Sequence, residues 1–367
     1  VALVARHGRV AFLHAFGQRD REAAAPMRED TIFRIASQTK AVVSVAALML
    51  QEEGRLRIDD PVARYLPQFA TTKVAVPRGG SYQVVDAARP ITVRDLLTHT
   101  SGLPYGRGVA SDRWSAAGIQ GFYFADRDEP MAATVGRMAA LPFDAQPGEA
   151  FVYGYSTDVL GVVVERASGL PLDHFLRARL FEPLGMRDTH FYLPPEKAGR
   201  LAAVYSTREG GSQRAPTPGN DTGQGAYVTG PRKSFSGGAG LLSTAADYAR
   251  FLQMMLAGGE LDGVRILSPG TVELMTRDHL RGAVYQPGVG FGLGFWVVND
   301  VRARGQPGSV GEFGWGGAYH TVYWVDPRER LVVVYLTQLI PARGIDDHAR
   351  LRALVYQAVV DGGFRRP

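Results

Sequence analysis

Two apolar-rich runs, residues 1–7 and 10–16, flank Gly8-Arg9 and predict a β-hairpin at the start of the chain. After a polar loop and the short run 31–36, residues 37–53 read as a helix stopped by Gly54. Within it, residues 41–50 are apolar on every side except Ser44, the pattern of a helix sunk inside a folded body. From Ile58 to about Gly240 the periodicity breaks up. Helical patterns return at 92–98, 131–140 and 158–167, whereas residues 201–231 are rich in Gly, Thr and Ser and read as a long loop. Beyond Gly240, residues 243–247 open an amphipathic helix carrying Phe251, Met254 and Met255, with Ser243 or Thr244 as its cap. Residues 295–298, 319–325 and 331–336 then read as strands, the last two joined by a turn over 326–330, and a helix over 346–359 follows.

Strands at both ends with helices between them predict an α/β (α+β) fold. Its antiparallel sheet is assembled from both termini and flanked by helices, using residues 1–57 and 241–367. Residues 58–240 form a mostly helical inserted domain with long loops, and the active site lies between the two parts. Composition supports a packed body: of 367 residues, 45% are hydrophobic and 21% charged, which excludes intrinsic disorder. The net charge of +5 is spread without a dense basic run, so neither nucleic acid nor a membrane surface is an expected partner. No apolar run approaches the roughly 17–25 residues of a membrane span. The count of zero cysteines removes disulfides, thiolate metal sites and cysteine nucleophiles. The first residues already read as a strand. A removed leader, and with it a periplasmic or secreted location, therefore stays open beside the cytoplasmic placement expected here.

The sharpest chemical feature is Ser37-Gln38-Thr39-Lys40. Three residues of helix put Ser37 and Lys40 on one face, one turn apart. Ser37 would sit among the unpaired amides of the first turn, where negative charge is stabilised. Lys40, pressed against the apolar helix, would be costly to keep charged, and a neutral amine can take a proton from a hydroxyl. Spacing alone also admits an N-cap serine and a surface lysine. A second candidate is Tyr153, on the stretch Phe151-Val152-Tyr153-Gly154-Tyr155 that follows the turn at residues 145–148; a phenol there could carry a proton, or simply pack. The third is Phe313-Gly314-Trp315-Gly316-Gly317-Ala318, before an expected strand. Its glycines would let a ligand approach the backbone, and an amide at the strand edge could serve an oxyanion, although the segment also reads as a plain turn. Neither Gly-x-Ser-x-Gly nor His-Glu-x-x-His occurs, and Gly288-Val289-Gly290-Phe291-Gly292 lacks the third glycine of a dinucleotide loop. No metal or cofactor is expected.

In this order the three pieces resemble the serine β-lactamase and penicillin-binding-protein superfamily, for which Ser-x-x-Lys is a defining motif. Further phrases carry the resemblance along nearly the whole chain: residues 58–62 (Ile-Asp-Asp-Pro-Val), 96–104 (Leu-Leu-Thr-His-Thr-Ser-Gly-Leu-Pro), 183–186 (Pro-Leu-Gly-Met) and 238–243 (Gly-Ala-Gly-Leu-Leu-Ser). Within the class C-like branch, the sequence is most similar to the family VIII carboxylesterases. β-Lactamases carry Tyr-x-Asn where this chain has Tyr153-Gly154-Tyr155, and Lys-Thr-Gly where it has Trp315-Gly316-Gly317. Loss of that cation and hydroxyl removes charge-assisted bonds worth about 1.5–3 kcal/mol each to a substrate carboxylate.

The resemblance therefore implies a serine hydrolase cleaving short-chain carboxylic esters through an acyl-enzyme. It assigns Ser37 as nucleophile, Lys40 and Tyr153 as the proton-handling pair, and the backbone amides of Ser37 and Ala318 as the oxyanion hole. Tyr155, Trp315, Gly316 and Gly317 are the expected substrate-binding residues. Amide hydrolysis, weak β-lactamase activity or acyl transfer on the same site are the alternatives, as is a non-catalytic binding or structural member of the fold.

Overall fold

The computed structural model describes residues 1–280, 282 and 285–360; residues 281, 283 and 284, and residues 361–367 at the end of the expected α/β part, lie outside the described residues. Both ends of the chain enter one antiparallel sheet of seven strands. They are β1 (Ala2–Arg6), β2 (Arg9–His14), β3 (Val289–Phe291), β4 (Trp296–Val298), β5 (Phe313–Gly317), β6 (Thr321–Asp326) and β7 (Leu331–Tyr335), in the order β3-β4-β5-β6-β7-β1-β2. The register pairs Ala2 with Tyr335 and Arg6 with Leu331, so the first strand lies between the last one and β2.

Six helices matter for the site: α1 (Thr39–Glu52), α2 (Val93–Leu97), α3 (Met131–Met138), α4 (Ser156–Ser168), α5 (Ala245–Leu256) and α6 (Asp347–Gln357). The two-residue alternation along β7 assigns its faces. Val332 and Val334 join the main core, whereas Leu331 and Val333 join Trp324 and Val355 in a separate cluster that Leu351 of α6 covers. Helix α5 packs against β7 and β1, so the sheet is buried between α5 on one face and α6 on the other. Helix α1 is buried along Thr39–Leu50 and packs on α4, as its all-round apolar pattern requires. Thr244, not Ser243, caps α5 by accepting from the Asp247 amide.

Several details differ from the sequence expectation. The glycine-rich segment before β6 is itself a strand, because its glycines leave room for neighbouring residues that a side chain would exclude. Tyr319 lies in the turn between β5 and β6 rather than in a strand. Between residues 58 and 240 the chain also folds two β-hairpins, Lys73–Arg78 with Ser81–Asp86 and Tyr205–Arg208 with Gly211–Arg214, the second inside the expected long loop.

Candidate active site

Ser37 stands in a single 3₁₀ turn, Ala36–Gln38, that leads directly into α1. The residue before it, Ala36, holds φ at +43°, a left-handed conformation that a residue with a Cβ keeps only under constraint. Part of that constraint comes from Arg34. Its buried guanidinium donates to the carbonyl of Ala202 (2.6 Å), the carbonyl of Gln224 (2.7 Å) and Oε1 of Gln338 (3.1 Å). A second part is close backbone packing. A Cβ on Gly317 would fall 2.3 Å from the Ile35 carbonyl oxygen, so glycine is what lets the end of β5 lie against the segment carrying Ser37.

Lys40 is only 1% exposed, and its Nζ has three oxygen partners: Ser37 Oγ at 3.2 Å, Tyr105 Oη at 2.8 Å and the Gly238 carbonyl at 2.7 Å. The ring of Tyr153 lies beside the same nitrogen, its centroid 4.7 Å away. The Tyr153 hydroxyl accepts from Trp315 Nε1 at 3.1 Å. Beneath the Gly238 carbonyl, Asp158 on α4 accepts from the Gly238 amide (3.0 Å) and from Ser236 Oγ (2.6 Å). Burial pushes the Asp158 carboxyl above its ordinary range, against these hydrogen bonds and the nearby Lys40 charge. Burial, and then its phenol neighbour Tyr153, holds the Tyr105 hydroxyl well above the usual tyrosine range. His99, packed against Tyr153 with ring centroids 4.8 Å apart, is kept neutral by burial and by Lys40.

These groups open onto a cavity of about 530 Å³. Ser37, Tyr105, Tyr153 and Trp315 line it together with Gly316, Gly317 and Ala318, and no lysine or arginine is among its described lining residues. The structure thus brings Ser37, Lys40, Tyr153, Trp315, Gly316, Gly317 and Ala318 together. Tyr155 is the exception among the expected substrate-binding residues. Its side chain is fully buried, stacked on Trp114, with its hydroxyl 3.5 Å from the Tyr105 carbonyl, and it does not line the cavity.

Tyr105 is the polar residue that the sequence reading left without a role. The only signal for it was its place next to the Leu96–Pro104 motif, since nothing local connects it to Lys40, 65 residues earlier. Gly154 explains how Tyr105 and Tyr153 come side by side. A Cβ there would lie 2.2 Å from the Leu103 carbonyl oxygen, so glycine lets the two loops touch backbone to backbone.

A sheet built from both chain ends, with a serine and a lysine one turn apart at the start of a buried helix, defines a class of serine acyl-enzyme proteins. The chain belongs to the Beta-lactamase family, whose model matches residues 1–357. It is 38% identical over 359 residues to Protein Rv1367c of Mycobacterium tuberculosis, covering 94% of this chain and 87% of that one. It is 37% identical over 359 residues to Esterase EstB of Burkholderia gladioli, covering 92% of this chain and 85% of the esterase. Among solved structures it resembles EstCE1, described as a hydrolase with promiscuous acyltransferase activity. The TM-score is 0.82 at 30% identity, covering 97% of this chain and 92% of that one.

Proposed function

We propose that the protein is a carboxylesterase that hydrolyses small, short-chain esters through an acyl-enzyme on Ser37. The observation that carries this reading is the water-shielded Lys40 Nζ, in contact with Ser37 Oγ and held from two other sides by Tyr105 and Gly238. The names of EstB and EstCE1 support the choice of reaction. The seam between residues 1–57 with 241–367 and the inserted residues 58–240 is part of the proposal, because Lys40 comes from one side and Tyr105, Tyr153 and Gly238 from the other.

In the proposed cycle Lys40 Nζ is the proton acceptor for Ser37. The Gly238 carbonyl can only accept, so one N–H is committed there, which leaves the rest of the nitrogen to the Ser37 and Tyr105 hydroxyls. Ser37 Oγ attacks the ester carbonyl while its proton passes to Lys40. The Ser37 and Ala318 amides receive the developing oxyanion, each such donor typically being worth about 2.7–4 kcal/mol. Tyr153 then gives its proton to the departing alkoxide as the C–O bond breaks, and recovers a proton from Lys40. Water attacks the acyl-enzyme as its proton passes to the Tyr153 oxygen and the Tyr153 proton moves on to Lys40; Lys40 then returns a proton to Ser37 Oγ as the acyl C–O bond breaks and the acid leaves. Lys40 and Tyr153 are coupled through one proton inventory, so a pH–rate profile reports the pair.

The Trp315 face gives the acyl or alcohol part an apolar wall, and the described lining offers no permanent cation to an antibiotic's carboxylate. Acyl transfer to an alcohol is the second reading, favoured by the likeness to EstCE1. The test is a fluorophosphonate probe with a panel of p-nitrophenyl esters, an amide and nitrocefin. Label on Ser37, ester turnover far above nitrocefin turnover, and loss of both label and turnover in Ser37→Ala are expected. Label on another serine, or full activity in Ser37→Ala, refutes the assignment.

A further inference from the structure

On the wall of the same cavity, two histidines and a carboxylate converge from separate elements. His320 lies in the turn between β5 and β6; Asp347 and His348 open α6. One ligand atom from each of the three lies within 4.8 Å of those of the others. His320 Nε2 is 2.6 Å from Asp347 Oδ1, and the two imidazoles stack with centroids 3.9 Å apart. His320 and His348 both face the cavity that Ser37 lines. None of the three has a part in the ester chemistry proposed above.

We propose that His320, Asp347 and His348 bind one divalent transition-metal ion of the zinc type at the rim of the substrate cavity. The donor set points to that class: two imidazoles and one carboxylate suit Zn²⁺, Co²⁺ or Ni²⁺, whereas Mg²⁺ and Ca²⁺ want oxygen donors throughout. Zinc bonds to nitrogen and oxygen run at roughly 2.0–2.2 Å, so ligand atoms sharing one ion stand about 3.3 Å apart in a tetrahedron. The close His320–Asp347 contact has to open by less than 1 Å to reach that spacing, and the widest separation has to close by at most about 1.5 Å. Rotation of the imidazoles about Cβ–Cγ, a broad and soft torsion, supplies such movement and unstacks the rings.

The carboxylate is already supported from behind. Tyr335 Oη donates to Asp347 Oδ2 at 2.8 Å, and the His348 amide donates to Oδ1 at 2.9 Å. The backbone of His320 is pinned by Thr337 Oγ1, which donates to its carbonyl at 2.6 Å. Outer contacts of this kind orient metal ligands and tune their affinity. Three protein donors leave a fourth position, and the two histidines turn it toward the cavity. An ion there takes up room that the ester needs, so its occupancy regulates substrate entry. That last consequence rests on the ester reading; ion binding itself does not.

The experiment is a calorimetric titration of the metal-free full chain with Zn²⁺, and with Mg²⁺ as the contrasting ion, followed by p-nitrophenyl ester kinetics with and without Zn²⁺. One Zn²⁺ per chain and no Mg²⁺ heat are expected. His320→Ala and His348→Gln should each weaken Zn²⁺ binding at least 100-fold, and Tyr335→Phe about 10-fold, with unchanged circular dichroism. No stoichiometric Zn²⁺ binding, or equal binding in both histidine variants, overturns the site. In the kinetic arm, Zn²⁺ should raise KM in the wild type and leave His320→Ala unaffected; an unchanged wild-type KM overturns the regulatory role. A chain that binds Zn²⁺ through these residues but turns over no ester refutes the esterase reading and leaves the metal site standing.

Discussion

Two phenols flank Lys40, and single hydroxyl deletions separate their roles. Tyr105→Phe removes the oxygen 2.8 Å from Nζ while leaving Lys40 its bonds to Ser37 and Gly238. A hydrogen bond to a charged group is worth about 1.5–3 kcal/mol, so a purely orienting Tyr105 predicts a fall in kcat/KM of roughly 10- to 150-fold. Tyr153→Phe removes a hydroxyl that accepts from Trp315 Nε1, so its loss leaves Lys40 with all three of its oxygen contacts. As the proton carrier it nevertheless predicts a loss of about 10²–10⁴-fold, mostly in kcat. The assay is p-nitrophenyl butyrate hydrolysis across pH, with thermal melts to show that both variants fold. Tyr155→Phe serves as a packing control and should keep nearly full activity. If Tyr105→Phe falls by four orders while Tyr153→Phe stays within tenfold of wild type, the roles are reversed and the proposed cycle is wrong.

Gly154→Ala should lower both stability and kcat. The new methyl meets the Leu103 carbonyl at 2.2 Å, and relief of such overpacking typically costs about 1–3 kcal/mol, read by denaturant melts beside kinetics. Arg352→Met should reduce stability by about 3 kcal/mol without changing kcat/KM. It strips Nη1 (3.0 Å) and Nη2 (2.6 Å) contacts from the fully buried Glu312, leaving Arg304 and Tyr356 as its side-chain partners among the described residues. His190 is held down at about 4, from an ordinary 6.5, by burial and then by Lys197. The unfolded chain therefore binds the extra proton between these values, and stability is lost as pH falls from 6.5 toward 4. His190→Gln should flatten that slope by less than about 1.4 kcal/mol per pH unit, since the imidazole is only half-buried. An unchanged acid slope would show that other groups set it.

What could be read from the sequence was whatever local geometry decides. The Ser37–Lys40 pair needed only helical spacing, and α1, β6 and β7 announced themselves by apolar and β-branched runs. Strand β5 was hidden because its glycines, which carry no β-propensity, are there for clearance from neighbouring residues. Tyr105 and the His320–Asp347–His348 cluster were invisible because their partners come from distant parts of the chain. Tyr155 was misplaced for a simpler reason. It is the residue at which the loop turns into α4, so its ring points into the core with Trp114 while Tyr153 faces out.

The position of β1 between β7 and β2 has a consequence for biosynthesis. Val1 donates to the Leu336 carbonyl across 335 residues, so the opening hairpin has no further strand to pair with until nearly the whole polypeptide has left the ribosome. At about 5–20 residues per second that wait lasts roughly 17–67 s. During it, apolar side chains such as Leu3 and Ala5, buried in the finished protein, stand in water, and Val10 and Phe12 remain half-exposed even afterwards. Yield in a host cell should consequently depend on chaperone supply and translation speed far more than on the strength of the final fold.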